Sequence, residues 1–257
     1  MKIYVVNLAR RPDRLAFMDG QLQALGLPYT RINAVDGLGE ADIGYPPAPP
    51  RLSKPEYACY LSHVACWQAI LDSGDQHALI LEDDVVLAKS FAEILAHAPF
   101  FEHSGAVTRL ECRIFRAKVS KFWRHRFKGR KLRRLTAFEG GTGAIVITRA
   151  YAAYLLENHA IPEVPVDDLV LDPISTRYRP HTIYQLDPAP ATQRIFLPEA
   201  SPAHSRQSDL QETRTPPPSK PRPRGVRQMV GHELRRRGRN LRGNLFHTSK
   251  VIRFDED

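Results

Sequence analysis

The sequence predicts an α/β protein in which strands and helices alternate along most of the chain. Three observations carry that expectation. Short apolar runs such as Ile3–Val6 and Ala144–Ile147 are separated by segments with helical spacing, as at Leu15, Met18, Leu22 and Leu25. The run Ala78–Leu81 reads as a buried strand that stops abruptly at Glu82, Asp83 and Asp84. At 257 residues and 42% hydrophobic content, the chain suffices for one sizeable domain plus appendages.

Ile3–Val6 is the first strand, and it runs into Asn7–Arg14. Pro12 suits the first turn of a helix, where its missing N–H costs nothing, and Gly26 supplies the stop. A strand, a basic loop and a helix start make either a docking turn for phosphate or an ordinary surface turn with arginines. Tyr29–Ala34 reads as a second strand ending at Val35-Asp36-Gly37. Asp-Gly is a turn signal, but beside the end of the first strand Asp36 would accept hydrogen bonds from a base or ribose. Ile43–Pro55 holds five prolines and reads as an irregular surface loop. Glu56–Leu71 is helical and apolar on most faces, hence buried. Ser62 and His63 interrupt it, His63 either as a core histidine with a satisfied hydrogen bond or as a ligand contact.

Ser90–Ala96 reads as a short covering helix and Ala106–Glu111 as a strand. Glu139-Gly140-Gly141-Thr142-Gly143 precedes the strand Ala144–Ile147, whereas dinucleotide and P-loop motifs place their glycines after a strand. These glycines either allow close backbone approach to a sugar or bend a sheet edge. A helix from Arg149 to Leu156 follows, and Pro165–Asp172 puts Asp167 and Asp168 at the start of another. Such carboxylates serve as helix-dipole partners or include a general base for a hydroxyl nucleophile. Thr182–Leu186 reads as the final strand.

Charge is unevenly placed. The formal net charge is +9, yet 11 of the 37 Lys and Arg lie in Arg113–Arg134 and 12 in Arg214–Asp257, leaving 14 basic against 24 acidic residues elsewhere. The basicity therefore points to a polyanionic partner surface rather than to the fold. Residues 1–213 form the expected domain, 113–134 a basic insertion, and 214–257 a Pro-rich then basic tail suited to an anionic membrane surface. Aromatics among the basic residues of 113–134 also allow RNA contact, but no RNP, KH or zinc-finger pattern is present, and no specific nucleic-acid partner is expected. Three cysteines without CxxC spacing argue against a disulfide framework. A cytoplasmic protein, peripheral on the inner membrane face, is the expectation.

Three adjacent carboxylates at a strand's end repel one another unless a cation or hydrogen-bonding ligand meets them there. They form either a solvated acidic turn or a site where a hard divalent ion, Mg²⁺ or Mn²⁺, is shared with a diphosphate. The segments Val5–Arg14, Asn33–Gly37, Tyr60–His63, Leu81–Val85, Gly141–Arg149 and Val166–Leu169, with Gln193, occur in an order that resembles glycosyltransferase family 25. That family comprises lipopolysaccharide and lipooligosaccharide sugar transferases related to collagen galactosyltransferases.

The resemblance implies a GT-A-like fold with a mixed central sheet flanked by helices, a UDP-sugar donor with galactose favoured, a glycan or glycolipid acceptor, and a divalent metal, Mn²⁺ before Mg²⁺. It assigns metal binding to Asp84 and Glu82, and donor binding to Asn7, Arg11, Arg14, Asp36, Ser62, His63, Glu82 and Asp83. Asp168, with Asp167 second, is the expected base in an inverting transfer. The helix departs from the family pattern, with Glu56-Tyr57-Ala58-Cys59 where a glycine-cysteine pair is usual. The competing readings are a non-catalytic nucleotide-sugar or glycan-binding protein of the same fold and an RNA-associated basic protein.

Overall fold

The structure is a computed structural model describing residues 1–46, 52–102, 105–113, 116–137, 140–159, 162–171, 181–197 and 246–255. In chain order its elements are β1 (Lys2–Asn7), α1 (Pro12–Ala24), β2 (Thr30–Asn33), α2 (Lys54–Ser73), β3 (His77–Glu82), β4 (Val85–Leu87) and α3 (Phe91–Ala96). There follow β5 (Val107–Arg109), β6 (Glu111–Cys112), β7 (Arg116–Phe127), β8 (Arg130–Leu135), β9 (Ala144–Thr148), α4 (Arg149–Asn158), α5 (Val166–Leu171), β10 (Ile183–Asp187), β11 (Ala191–Gln193) and β12 (His247–Val251). The expected α/β class, a mixed sheet flanked by helices, is what the chain adopts.

Nine strands form one sheet in the order β12-β7-β8-β10-β5-β9-β3-β1-β2. β1 lies parallel to both β2 and β3, while β9 runs antiparallel to β3 and β5. Alternation along each strand sends side chains to two cores. Ile80, Ile145 and Ile147 meet Tyr60, Trp67 and Ile70 of α2 and Leu155 of α4 on one face. Leu79, Leu81 and Val146 meet Met18 and Leu22 of α1 and Phe91 and Ile94 of α3 on the other.

Helix α2 starts at Lys54, two residues before the expected Glu56, because Ser53 caps it. The Ser53 side chain accepts from the Glu56 N–H while the Glu56 carboxylate accepts from the Ser53 N–H, a reciprocal capping box, and Gly74 closes the helix at φ 76°.

Two expectations change. The basic insertion 113–134 is built into the domain from Arg116 onward: β7 and β8 form a hairpin inside the main sheet, turning at Lys128 and Gly129, both at positive φ. Ala117, Val119, Leu132 and Leu135 are buried while Lys118, Lys121, Arg124 and Arg134 are exposed, so the run carries a two-residue alternation beneath its charge. The compact domain also does not end near Thr213. β12 pairs antiparallel with β7, Ile252 is buried, and Asp255 pairs with the buried Arg130 at 3.3 Å. The Pro-rich and basic stretch 214–245 and residues 47–51 of the Pro-rich loop lie outside the described residues.

Deleting residues 246–257 is therefore expected to destabilise the domain. The deletion removes the β7 pairing and a buried isoleucine and leaves Arg130 short of a partner, a loss of about 3 kcal/mol or roughly 5–10 °C in Tm. Thermal denaturation of the truncated protein checks this, and an unchanged Tm would show that the strand contributes nothing.

Candidate active site

The carboxyl ends of β1, β2 and β3 open into a cleft lined by Val6, Arg10, Ala34, Asp36, Cys59 and His63 together with Glu82, Asp83 and Asp84. Ligands gather at this edge of α/β sheets because chain direction brings loops and polar groups together there.

The three acids are held differently. Asp83 is buried, accepts from Asn7 Nδ2 at 2.7 Å and pairs with Arg14 at 3.2 Å. Burial outweighs these partners and raises its pKa. Glu82 accepts from the Thr142 hydroxyl at 2.8 Å and from Gln193 Nε2 at 3.3 Å, with His63 Nε2 3.8 Å away. Burial opposes its charge, but His63, Thr142 and Gln193 together hold its pKa below the usual carboxylate value. Asp84 as a residue is half-buried, yet its Oδ1 is shut away from water with no hydrogen-bond partner. Burial and then the neighbouring Glu82 charge push its pKa up to about 7.

That enclosed oxygen is the observation against which a metal is tested. Among the described residues, no three His, Cys, Asp or Glu side chains converge into a ready cage. Asp84, with Glu82 two residues away, does suit an ion that takes one or two carboxylates and draws its other oxygens from phosphate and water, as Mg²⁺ and Mn²⁺ do.

Asn7 and Arg14 reach the site by holding Asp83, and Asn7 Nδ2 also donates to the Arg11 carbonyl at 3.0 Å. Ser62 lines the cleft and ties α2 to the loop after β2, its Oγ donating to Ala58 O and accepting from the Val35 N–H at 2.9 Å. Asp36 accepts from Arg10 Nε at 2.7 Å and the Leu38 N–H at 2.9 Å. Partial burial works against its charge, but these bonds hold its pKa below the usual value. Arg11 is not among the cleft residues: its guanidinium pairs with Asp13 on the first turn of α1, and the more exposed Arg10 lines the cleft. Backbone direction at a turn decided between adjacent arginines, which sequence could not do.

Asp167 and Asp168 do not line the cleft but connect with it through one segment. Asp167 is buried and accepts from the Gly141 N–H at 3.3 Å and the Asp168 N–H at 3.1 Å. Asp168 is half-buried on the same turn. One residue beyond Gly141, Thr142 bonds Glu82, and the Gly143 carbonyl accepts from the Glu82 N–H at 2.8 Å. The glycine-rich segment thus spans the acidic turn and the acid pair.

Sequence reasoning missed Glu111, Arg109 and Gln185. Glu111 is fully buried, and its Oε1 accepts from the Gly143 N–H at 2.9 Å. Arg109 donates to Gln185 Oε1 at 3.1 Å and to Gly140 O at 2.7 Å. The available signal was two charged residues, Arg109 and Glu111, at alternate positions in the otherwise uncharged run Val107–Cys112, which the structure divides between β5 and β6. Also unforeseen is the small sheet β4-β11-β6, which places Gln193 beside Glu82.

Fold and site together define an α/β protein with a ligand cleft over an acidic turn at the carboxyl ends of its parallel strands. The profile described as "Glycosyltransferase family 25 (LPS biosynthesis protein)" matches residues 1–170, and the chain belongs to this family. Among its relatives are the lacto-N-neotetraose biosynthesis glycosyltransferases LgtE and LgtB of Neisseria gonorrhoeae. They are 27% identical over 209 residues and 28% over 211, each alignment covering 76% of this chain and 75% of the relative. The crystal structure of a glycosyltransferase involved in glycosylating the major capsid of PBCV-1 is similar at 10% identity and a TM-score of 0.41, covering 75% of this chain and 92% of that one. The family assignment makes the protein a glycosyltransferase related to enzymes of oligosaccharide biosynthesis.

Proposed function

We propose that the protein transfers a hexose, galactose foremost, from a UDP-sugar to a hydroxyl of a lipooligosaccharide or similar glycan, with inversion. The observation that carries this reading is the enclosed, partnerless oxygen of Asp84, a residue lining the cleft. Asp84 and Glu82 are the residues that would hold a divalent ion for a diphosphate bound in the cleft. Such an ion supplies charge neutralisation for the leaving diphosphate.

The chain's own residues do the rest. Arg10 and Asp36 flank the nucleoside side of the cleft. Asn7 and Arg14 fix Asp83 and so the acidic turn. The acceptor oxygen attacks the anomeric carbon as the bond to the diphosphate oxygen breaks, and that oxygen keeps the electron pair. The hydroxyl proton passes to Asp168, the half-buried member of the acid pair. Screening nucleotide sugars for turnover with and without Mn²⁺ tests the reading. UDP-galactose turnover that collapses in chelator is expected, and nucleotide-sugar binding without turnover under every condition would favour the non-catalytic alternative.

The acceptor would lie at an anionic membrane, which the basic regions suit. The β7–β8 hairpin exposes Phe122 and Trp123 beside Lys121, Arg124 and Arg126, and each basic group near such a surface contributes about 1 kcal/mol. Among the described residues no helix is long and apolar enough to cross a membrane. Because β12 belongs to the sheet, the test is an internal deletion of 214–245 that keeps 246–257. Weaker binding to phosphatidylserine vesicles with unchanged donor turnover is expected, and unchanged vesicle binding would remove the tail from this role.

A further inference from the structure

We propose that Glu111 is a positioning residue for the transfer reaction: its buried carboxyl is the form around which Gly141-Thr142-Gly143 is moulded, and through Thr142 it sets the orientation of Glu82.

Three observations converge. Glu111 has no exposed surface, and Oε1 accepts from the Gly143 N–H at 2.9 Å. A Cβ on Gly141 would stand 2.7 Å from Oε1, and one on Gly143 would stand 2.7 Å from Oε2. A side chain at either glycine would therefore push the carboxyl out of its place, and Gly141 also needs its φ of 98°. This explains the glycine-rich motif, which precedes its strand and so fits no phosphate-binding pattern. The residue the glycines enclose, Thr142, donates to Glu82 at 2.8 Å, and the Gly141 N–H donates to Asp167. One carboxyl thus anchors the segment that touches both acidic elements of the site.

The groups around Glu111 fit an anchor rather than a reacting acid. From β5, Arg109 NH2 lies 3.7 Å from Oε1, while its guanidinium also donates to Gly140 O and Gln185 Oε1. From β10, Gln185 Nε2 donates to the Glu111 carbonyl at 3.0 Å. Glu82 and Asp84 repel its charge from across the turn, and Glu111 is not among the cleft-lining residues. Burial first, then Glu82, pushes its pKa up to about 7 against the pull of Arg109.

The catalytic part of this inference rests on the proposed transfer, so the test has one arm that does not. Amide hydrogen exchange at Gly143 is measured in the wild type, Glu111→Gln and Glu111→Ala. Gln keeps an acceptor for the Gly143 N–H and should preserve protection, while Ala should lower it at least about tenfold. Equal protection in wild type and Ala would overturn the anchoring itself, whatever the enzyme does.

The second arm is kinetic. Glu111→Ala should lower kcat about 20-fold or more, because misplaced reacting groups cost rate steeply, with UDP affinity by calorimetry within about threefold. Glu111→Gln should stay within about threefold of wild type, since shape and acceptor survive. Thr142→Val should reproduce the Ala defect, and Glu111→Ala/Thr142→Val should be no worse than the poorer single variant. Multiplicative losses, or a Gln variant as damaged as Ala, would overturn the positioning role. Should Glu111→Ala not fold, the Gln variant and Thr142→Val still decide it. Preserved anchoring in an enzyme that turns over no donor would sink the proposed transfer and leave the anchor standing.

Discussion

Asp84→Asn is expected to lower sugar transfer about a thousandfold while making the ligand-free protein more stable at neutral pH, the mark of a buried charge kept for chemistry rather than for folding. Asp84 Oδ1 has no hydrogen-bond partner, and its pKa stands at about 7 through burial and the adjacent Glu82 charge. A carboxyl whose pKa is higher in the folded than in the unfolded chain contributes stability that is complete below the unfolded value and is lost as pH rises through the folded one. For Asp84 that window runs from about pH 4 to pH 7, and the loss is on the order of 4 kcal/mol at most. The asparagine variant should show a shallower decline over the same range. Denaturant titrations at pH 5 and pH 8 beside donor-turnover assays check both halves. A variant that retains a tenth of wild-type turnover would remove Asp84 from the reaction.

Asp168→Asn is expected to cut transfer by about a hundredfold to ten-thousandfold with little change in UDP affinity, because losing a general base removes an interaction made only in the transition state. Its neighbour should behave differently. The Asp167 carboxylate accepts two backbone N–H groups, from Gly141 and Asp168. An asparagine there turns an NH2 group toward a donor, so Asp167→Asn should lower Tm by several degrees as well as activity. Paired assays of transfer and thermal unfolding separate the two residues. Near-normal turnover in Asp168→Asn would end its assignment as base.

The elements nearest the cleft were the most legible in the sequence. β1, α1, α2, β3 and β9 each carry an apolar run or helical period, and α1 also has its start at Pro12 and its stop at Gly26. The acidic turn was legible because three carboxylates directly after a buried strand are costly without a purpose. The basic hairpin was hidden because charged residues on its exposed positions mask the alternation of Ala117, Val119, Leu132 and Leu135. The small sheet was hidden because two- and three-residue strands carry no period of their own.

By itself the sequence determined the α/β class, the acid-tipped strand, the glycine-rich segment and the acid pair that follows, since each is a local statement about burial, backbone freedom or charge. Tertiary structure alone decided that Arg10 rather than Arg11 faces the cleft, that residues 247–251 return as an edge strand, and that Glu111 sits within the glycines. These are contacts between residues far apart in the chain or choices of direction at a turn. Their energies depend on which backbone groups meet in three dimensions, and no spacing along the chain encodes that meeting.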